Sequence, residues 1–353
     1  MMRRAGGQPG AARLWAMGDV LVDQPGAFVG KHSERLRVTV RGTVVAEHPL
    51  LDVGRVLLVG QGLSISADAV RACAERGIRV DFLSGRGEPY ASLFSPVPNA
   101  TAATRRAQLA APDNGRAATL VAAIAAAKMT NQANLLKYAV KNWRVARPNL
   151  FERVRALADE VERARALLPP LRGRPIEAVR AALGAAEARA SRAYWSGFGR
   201  LLRRVDWPGR QHQDAADLAN GLLNYGYGVL YGEVERAAVA AGLDPFAGFL
   251  HADRPGSPSL VFDLIEQFRQ PAVDRVVLGL VNRGTRLALD ADGRLDAPTR
   301  RRAAEAVLAR LDDVVAWEGQ RQPLRLVIRH QAERAATFLR GERGDYRGFA
   351  ASW

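Results

Sequence analysis

The stretch from Arg55 to Leu83, RVLLVGQGLSISADAVRACAERGIRVDFL, decides which fold this chain can have. A strand-like segment, Arg55–Val59, leads through Gly60-Gln61-Gly62 into a helix over Ala67–Arg76 that Gly77 closes. A second strand, Ile78–Leu83, follows and carries Asp81. This is the outline of a dinucleotide-binding βαβ unit, whose glycines let the backbone approach a pyrophosphate. Two features oppose that fold. Ile65 stands where a third glycine would allow close helix–strand packing, and no further βα units follow. A nucleotide cofactor is therefore not expected.

Upstream, candidate strands are Asp19–Asp23, Leu36–Val40 and Thr43–His48, with Arg41-Gly42 as a short hairpin link between the last two. Gly26 to His32 imitates a phosphate-binding loop, but the glycine spacing is one residue short and His32 replaces the required Ser or Thr. Downstream, Pro96, Pro98 and Asn99 mark a boundary. Beyond it the chain turns to Ala, Leu and Arg with helical periodicity over Leu120–Lys141, Ile176–Arg204, Asp214–Ala241 and Pro258–Leu280. The expected fold class is α+β, a small β-rich N-terminal domain followed by a large, mostly α-helical domain. The expected boundaries are a disordered lead-in at 1–16, the β-rich domain at 17–98, the helical domain at 99–345 and a tail at 346–353. That tail, with Tyr346, Phe349 and Trp353 among glycines, either docks on the surface or stays mobile.

The net charge is +15, and lysine is scarce: apart from Lys31, Lys128, Lys137 and Lys141 every basic residue is arginine. Planar guanidinium forks suit phosphate, so a polyanion is the expected partner and nucleic acid the first candidate. Most of the excess lies beyond residue 100, where the polyanion should bind. The basic residues are not gathered on one amphipathic helix, and the longest very apolar run, Ala117–Ala127, is too short to span a bilayer. No membrane association is expected. A single cysteine, Cys73, permits no disulfide within the chain and fits the reducing cytoplasm. H-E-x-x-H and a serine nucleophile elbow are both absent from the sequence.

His251 to Arg269, HADRPGSPSLVFDLIEQFR, holds the most suggestive chemistry. Ser257 reads as an N-cap and Pro258 as the first helical residue. Asp263 and Glu266 then lie three apart, with Cβ atoms roughly 5–6 Å from each other. Two carboxylates and one imidazole can hold a divalent metal that drives phosphodiester chemistry. Taken alone, the segment favours a plainer account. Leu260, Val261, Leu264, Ile265 and Phe268 form one apolar arc, with Asp263, Glu266 and Gln267 on the far side, as on a solvated amphipathic helix where Glu266 pairs with Arg269. Likewise Glu187 alone would be an exposed helix charge, and His251 a satisfied core histidine.

Four segments in order resemble one family, over about residues 17–350. Ile65-Ser66-Ala67, Ala74 to Ile78 and Asp81-Phe82-Leu83-Ser84 are similar to its N-terminal domain. Glu187 to Trp195 resembles its first acidic motif. Leu222 to Tyr227, continuing through Tyr231 to Gly242-Leu243-Asp244-Pro245, leads into Gly248 to His251 and the Asp263/Glu266 helix. The family is the CRISPR-associated integrases, the metal-dependent endonucleases of spacer acquisition. The resemblance implies a β-rich dimerisation domain and a helical catalytic domain with a Mg²⁺ or Mn²⁺ site. Carried over, the metal ligands are Glu187, His251 and Glu266. Asp263 matches an acidic position that supports the site and completes the catalytic set. Ala188 departs from the glycine that often follows the first acid.

The implied reaction is transesterification: the 3′-hydroxyl of a short captured double-stranded DNA attacks a phosphodiester at the edge of a CRISPR repeat. The implied assembly is a homodimer working with a small second adaptation subunit. Arg192, Arg254 and Arg269, near the motifs, are candidate phosphate contacts. Tyr225, Tyr227, Tyr231 and Trp195 read mostly as core, with Tyr225 the candidate to stack on DNA ends. The alternatives are a transposon-encoded integrase of the same superfamily and a catalytically silent architectural DNA-binding protein.

Overall fold

The computed structural model describes residues 18–93, 102–169, 173–212 and 215–352. The expected lead-in at 1–16, the boundary at Pro96–Asn99 and Trp353 lie outside them. The first part is built from β1 (Gly18–Val22), β2 (Ala27–His32), β3 (Arg35–Val40), β4 (Thr43–Pro49), β5 (Val53–Val59), β6 (Ser64–Ile65), α1 (Ala67–Glu75), β7 (Arg79–Leu83) and β8 (Pro89–Leu93). Two four-stranded sheets result, in the orders β1-β5-β7-β8 and β4-β3-β2-β6. In the first, β1, β5 and β7 are parallel and β8 returns antiparallel. Ser66 caps α1 by accepting from the amide of Ala69 at 3.1 Å.

The segment that imitated a phosphate loop is strand β2, with Ala27 and Val29 buried and Phe28 outward. β8 also carries no strong apolar alternation, and the sequence reading missed both. The dinucleotide outline acquires a physical explanation. β5 and β7 are parallel neighbours with α1 between them in sequence, but Asp81 is buried against Arg79 and Arg55 rather than offered to a ribose.

The helical part comprises α2 (Ala102–Ala110), α3 (Arg116–Ala139), α4 (Trp143–Ala146), α5 (Pro148–Ala166), α6 (Arg180–Leu201), α7 (Leu218–Ala240), α8 (Ser259–Ile265), α9 (Arg275–Asn282), α10 (Ala297–Asp312) and α11 (Leu324–Leu339). A small hairpin, β9 (Val314–Trp317) with β10 (Gln320–Pro323), interrupts it before α11. No described helix is long and apolar enough to cross a membrane. The tail docks: Phe349 and Ala351 are buried, their amides donating to Gln267 and Asn131 at 2.7 Å each.

α7 is buried on nearly every side, and its glycines explain how. A Cβ at Gly228 would sit 1.5 Å from the carbonyl oxygen of Gly87, in the turn between β7 and β8. Only a bare backbone lets this helix lie against that turn. The same face buries an ionic cluster. Arg55 of β5 reaches Asp19 of β1 at 3.4 Å, Asp81 of β7 at 3.9 Å and Glu233 of α7 at 3.8 Å. Arg325 of α11 closes it through Asp19 at 3.1 Å and Glu233 at 3.3 Å.

Candidate active site

Four elements converge on the candidate site: α3 brings Lys128, α6 brings Glu187, the loop before α8 brings His251, and α8 with the turn that follows brings Asp263 and Glu266. The helix begins at Ser259, one residue later than expected, with Pro258 in the cap position and no side-chain cap bond. It is not the solvated amphipathic helix of the plainer account. Asp263 is 3% exposed, Glu266 5% and Gln267 0%, so the polar face is buried as well as the apolar one. After Glu266 the backbone turns into a π-helical segment, Gln270–Asp274, before α9. Such bulges shift side-chain register within a helix and recur at functional sites.

Asp263 is fully occupied by local structure. Its carboxylate accepts from the amides of Phe249 at 2.7 Å, Leu250 at 3.1 Å and His251 at 3.0 Å, and contacts His251 Nδ1 at 2.7 Å. With an acceptor at Nδ1, the neutral ring carries its proton there and leaves the lone pair on Nε2. The imidazole is 40% exposed. Burial works against its charged form, but the Asp263 hydrogen bond and the nearby carboxylates prevail and raise its pKa above the ordinary value.

Lys128 stands between the two glutamates. Its ammonium pairs with Glu187 and lies 2.6 Å from Glu266 Oε2. The second contact is one of charge more than of direction, since that buried oxygen has no well-aligned hydrogen-bond donor. Burial would discharge Lys128, yet Glu266 and Glu187 raise its pKa. Glu266 is its mirror: burial pushes the carboxyl up, while Arg269 and Lys128 hold it down at about 2. Arg269 contacts Glu266 at 3.3 Å and lies 4.6 Å over the Tyr227 ring. The Tyr227 and Tyr194 hydroxyls both donate to Asp274, the latter at 2.5 Å. Burial raises the pKa of Asp274, against those two donors.

The donor set fits a hard divalent cation: two carboxylates and one imidazole with its tautomer fixed from behind. The poorly satisfied Oε2 of Glu266 is the atom such an ion would take. Among the described residues no three acidic, histidine or cysteine side chains converge in metal-binding geometry, and the Lys128 ammonium pairs with both glutamates. Sequence reasoning noted Lys128 only as a scarce lysine. The available signal was its place directly after the apolar run Ala117–Ala127, a charge in a helix buried along most of its length.

Of the four residues expected to meet DNA, Arg192 and Arg254 are exposed. Tyr225 is not available: it is 1% exposed and packs against Gly87, so it is core and no stacking platform. Arg269 is committed to Glu266 and Tyr227, which makes it part of the site's own charge balance rather than a free phosphate hand.

A family model described as CRISPR associated protein Cas1 matches residues 20–307. The CRISPR-associated endonuclease Cas1 1 of Archaeoglobus fulgidus is 32% identical over 346 residues, covering 95% of this chain and 99% of that protein. One from Pyrobaculum aerophilum is 37% identical over 327 residues, covering 92% and 97%. Among solved structures, a casposase bound to integration product matches with a TM-score of 0.78 at 20% identity, over 94% of this chain and 93% of that one. A Cas1 protein from Thermotoga maritima matches with a TM-score of 0.73 at 18% identity, over 96% and 100%. Both structures share the fold.

Proposed function

Since this chain belongs to the Cas1 family of CRISPR-associated proteins, we propose that it is a DNA endonuclease and integrase of CRISPR adaptation. It joins the 3′-hydroxyl of a short captured DNA to a phosphodiester at a repeat boundary. In that step the 3′-hydroxyl loses its proton, its oxygen bonds to phosphorus, and the 3′-oxygen of the target strand leaves. The observation that carries this reading is the pairing of Glu187 and Glu266 on one buried ammonium, with His251 near enough to feel both charges and Asp263 locking its ring.

Glu187, Glu266 and His251 Nε2 would hold Mg²⁺ or Mn²⁺. When bound, the ion would supply Lewis-acid stabilisation of the charge that grows on the phosphate oxygens. Asp263 keeps the imidazole oriented and, in the neutral ring, puts the proton on Nδ1, so that Nε2 is the nitrogen left for a metal. Arg269 keeps Glu266 ionised. Lys128 would have to leave the glutamates for the ion to bind. Residues 17–98 would serve as the dimerisation domain and 99–345 as the catalytic domain, in a cytoplasmic homodimer that works with a Cas2-type second subunit. A Cas6-RT-Cas1–Cas2 complex is among the solved structures that share this fold.

The test compares a labelled duplex carrying free 3′-hydroxyls with one carrying dideoxy ends, in Mn²⁺ and in chelator. Joined product is expected only with the hydroxyl and the metal. Joining by dideoxy ends, or in excess chelator, refutes the chemistry, and cleavage without any joined product reduces the protein to a nuclease. Glu187→Ala, His251→Ala and Glu266→Ala should each lower joining by at least about a hundredfold. Gel-shift affinity for DNA should stay within about threefold, because surface arginines supply binding.

A further inference from the structure

Three chain segments that build the site run on to one groove. α3 passes from Lys128 to Tyr138, α6 from Glu187 to Leu201, and the π segment with α9 from Glu266 to Asn282. The groove where they end has a volume of about 590 Å³ and is lined by Tyr138, Trp143, Arg203, Arg275, Arg283 and Arg310, among others. Its two rings are occupied by cations. Arg203 lies 4.8 Å and Arg147 5.5 Å from the Trp143 ring, and Lys141 lies 4.2 Å and Arg275 5.2 Å from the Tyr138 ring. Rings so covered hold guanidinium and ammonium groups in place rather than accept a stacked base. The one carboxylate in the lining, Asp313, is paired with Arg310 at 3.1 Å. Arg203 and Arg283 are exposed.

We propose that this groove grips the sugar–phosphate backbone of the DNA arm that extends beyond the reacting phosphate. The proposal rests on the reading that the chain acts on DNA, and it adds the path that DNA takes. At ~1.5 Å per residue, the helix from Lys128 to Tyr138 spans about 15 Å. That is about four to five base pairs of duplex, at ~3.4 Å each. Backbone contact in the groove therefore begins about five base pairs from the site, is indifferent to sequence, and falls with salt.

The experiment measures equilibrium binding of the full chain, by fluorescence anisotropy in chelator. The probes are branched duplexes whose target arms extend about 4 or about 20 base pairs from the branch. Arg203→Glu with Arg283→Glu should weaken the long-armed probe about tenfold and reduce its salt slope by about two. The short-armed probe should keep its affinity within about twofold. Arg203→Lys with Arg283→Lys should behave as the wild type, which separates lost charge from lost folding. Unchanged long-arm affinity after charge reversal, or equal loss on both arms, overturns the groove. So does a polyglutamate of matched charge that displaces the long arm as well as DNA does, since that assigns the groove to an acidic protein partner. Chelator keeps catalysis out of the measurement, so a protein that never joins DNA but shows the arm-length difference loses the proposed reaction and keeps the groove.

Discussion

Lys128 is the residue on which the site's charge balance turns. Part-exposed Glu187 and buried Glu266 both face the Lys128 ammonium, which offsets the repulsion between the two carboxylates. A divalent ion would have to displace it. Lys128→Met should therefore strain the metal-free protein and favour the metal-bound one. The expected loss in chelator is about 3 kcal/mol, the usual cost of removing one partner from a buried pair. Mn²⁺ affinity should rise at least about tenfold and recover most of that stability. Denaturant unfolding in chelator, paired with calorimetric Mn²⁺ titration, reads both. A variant that binds Mn²⁺ no better than the wild type would show that the ammonium does not compete for the site.

At the scale of elements, α7 joins the sheets to the helices and α6 carries the first acid, and their glycines differ in kind. The Cβ of Gly228→Ala would meet the Gly87 carbonyl at 1.5 Å, so the helix would have to leave the β7–β8 turn. Gly184, inside α6, has open space around its Cβ position. Gly184→Ala should gain up to about 1 kcal/mol from helix propensity, whereas Gly228→Ala should lose about 3 kcal/mol or more. Thermal melting of the two variants side by side decides it, and a Gly228→Ala protein as stable as the wild type would contradict the close approach. The same distinction limits what a pattern of residues can tell. α3 and α7 are legible as helices from their periodicity. That α8 buries its polar face too is not, because a helical wheel shows which residues share a side and not what packs against that side.

Across the whole molecule, sheets and helices are tied by the buried cluster of Arg55, Asp19, Asp81, Glu233 and Arg325. Burial alone would protonate Glu233, but Arg236, Arg55 and Arg325 hold its pKa at about 2. The folded value lies below the unfolded one, near 4.5. The group therefore contributes stability that is complete above about pH 4.5 and lost as pH falls through about 2. The amount is on the order of 3 kcal/mol. Compared with Glu233→Gln, the wild type should be more stable by that order at pH 7, and the gap should close toward pH 2. Urea unfolding of both proteins across this range measures the gap, and one that stays constant with pH would remove Glu233 from the acid response.

The sequence by itself determined the α+β division, the basic character and the family, because periodicity, composition and motif order are properties of the chain read in line. It also placed strands β1, β3, β4, β5 and β7 and helices α1, α3, α6 and α7 within a few residues, since turn residues and apolar alternation act locally. What it could not hold are pairings between distant segments. That Lys128 lies between Glu187 and Glu266, that Asp263 spends its carboxylate on three amides and His251, and that Tyr225 is core all depend on which helices meet. Charge and burial are felt through space, and only the tertiary structure sets the distances over which they act.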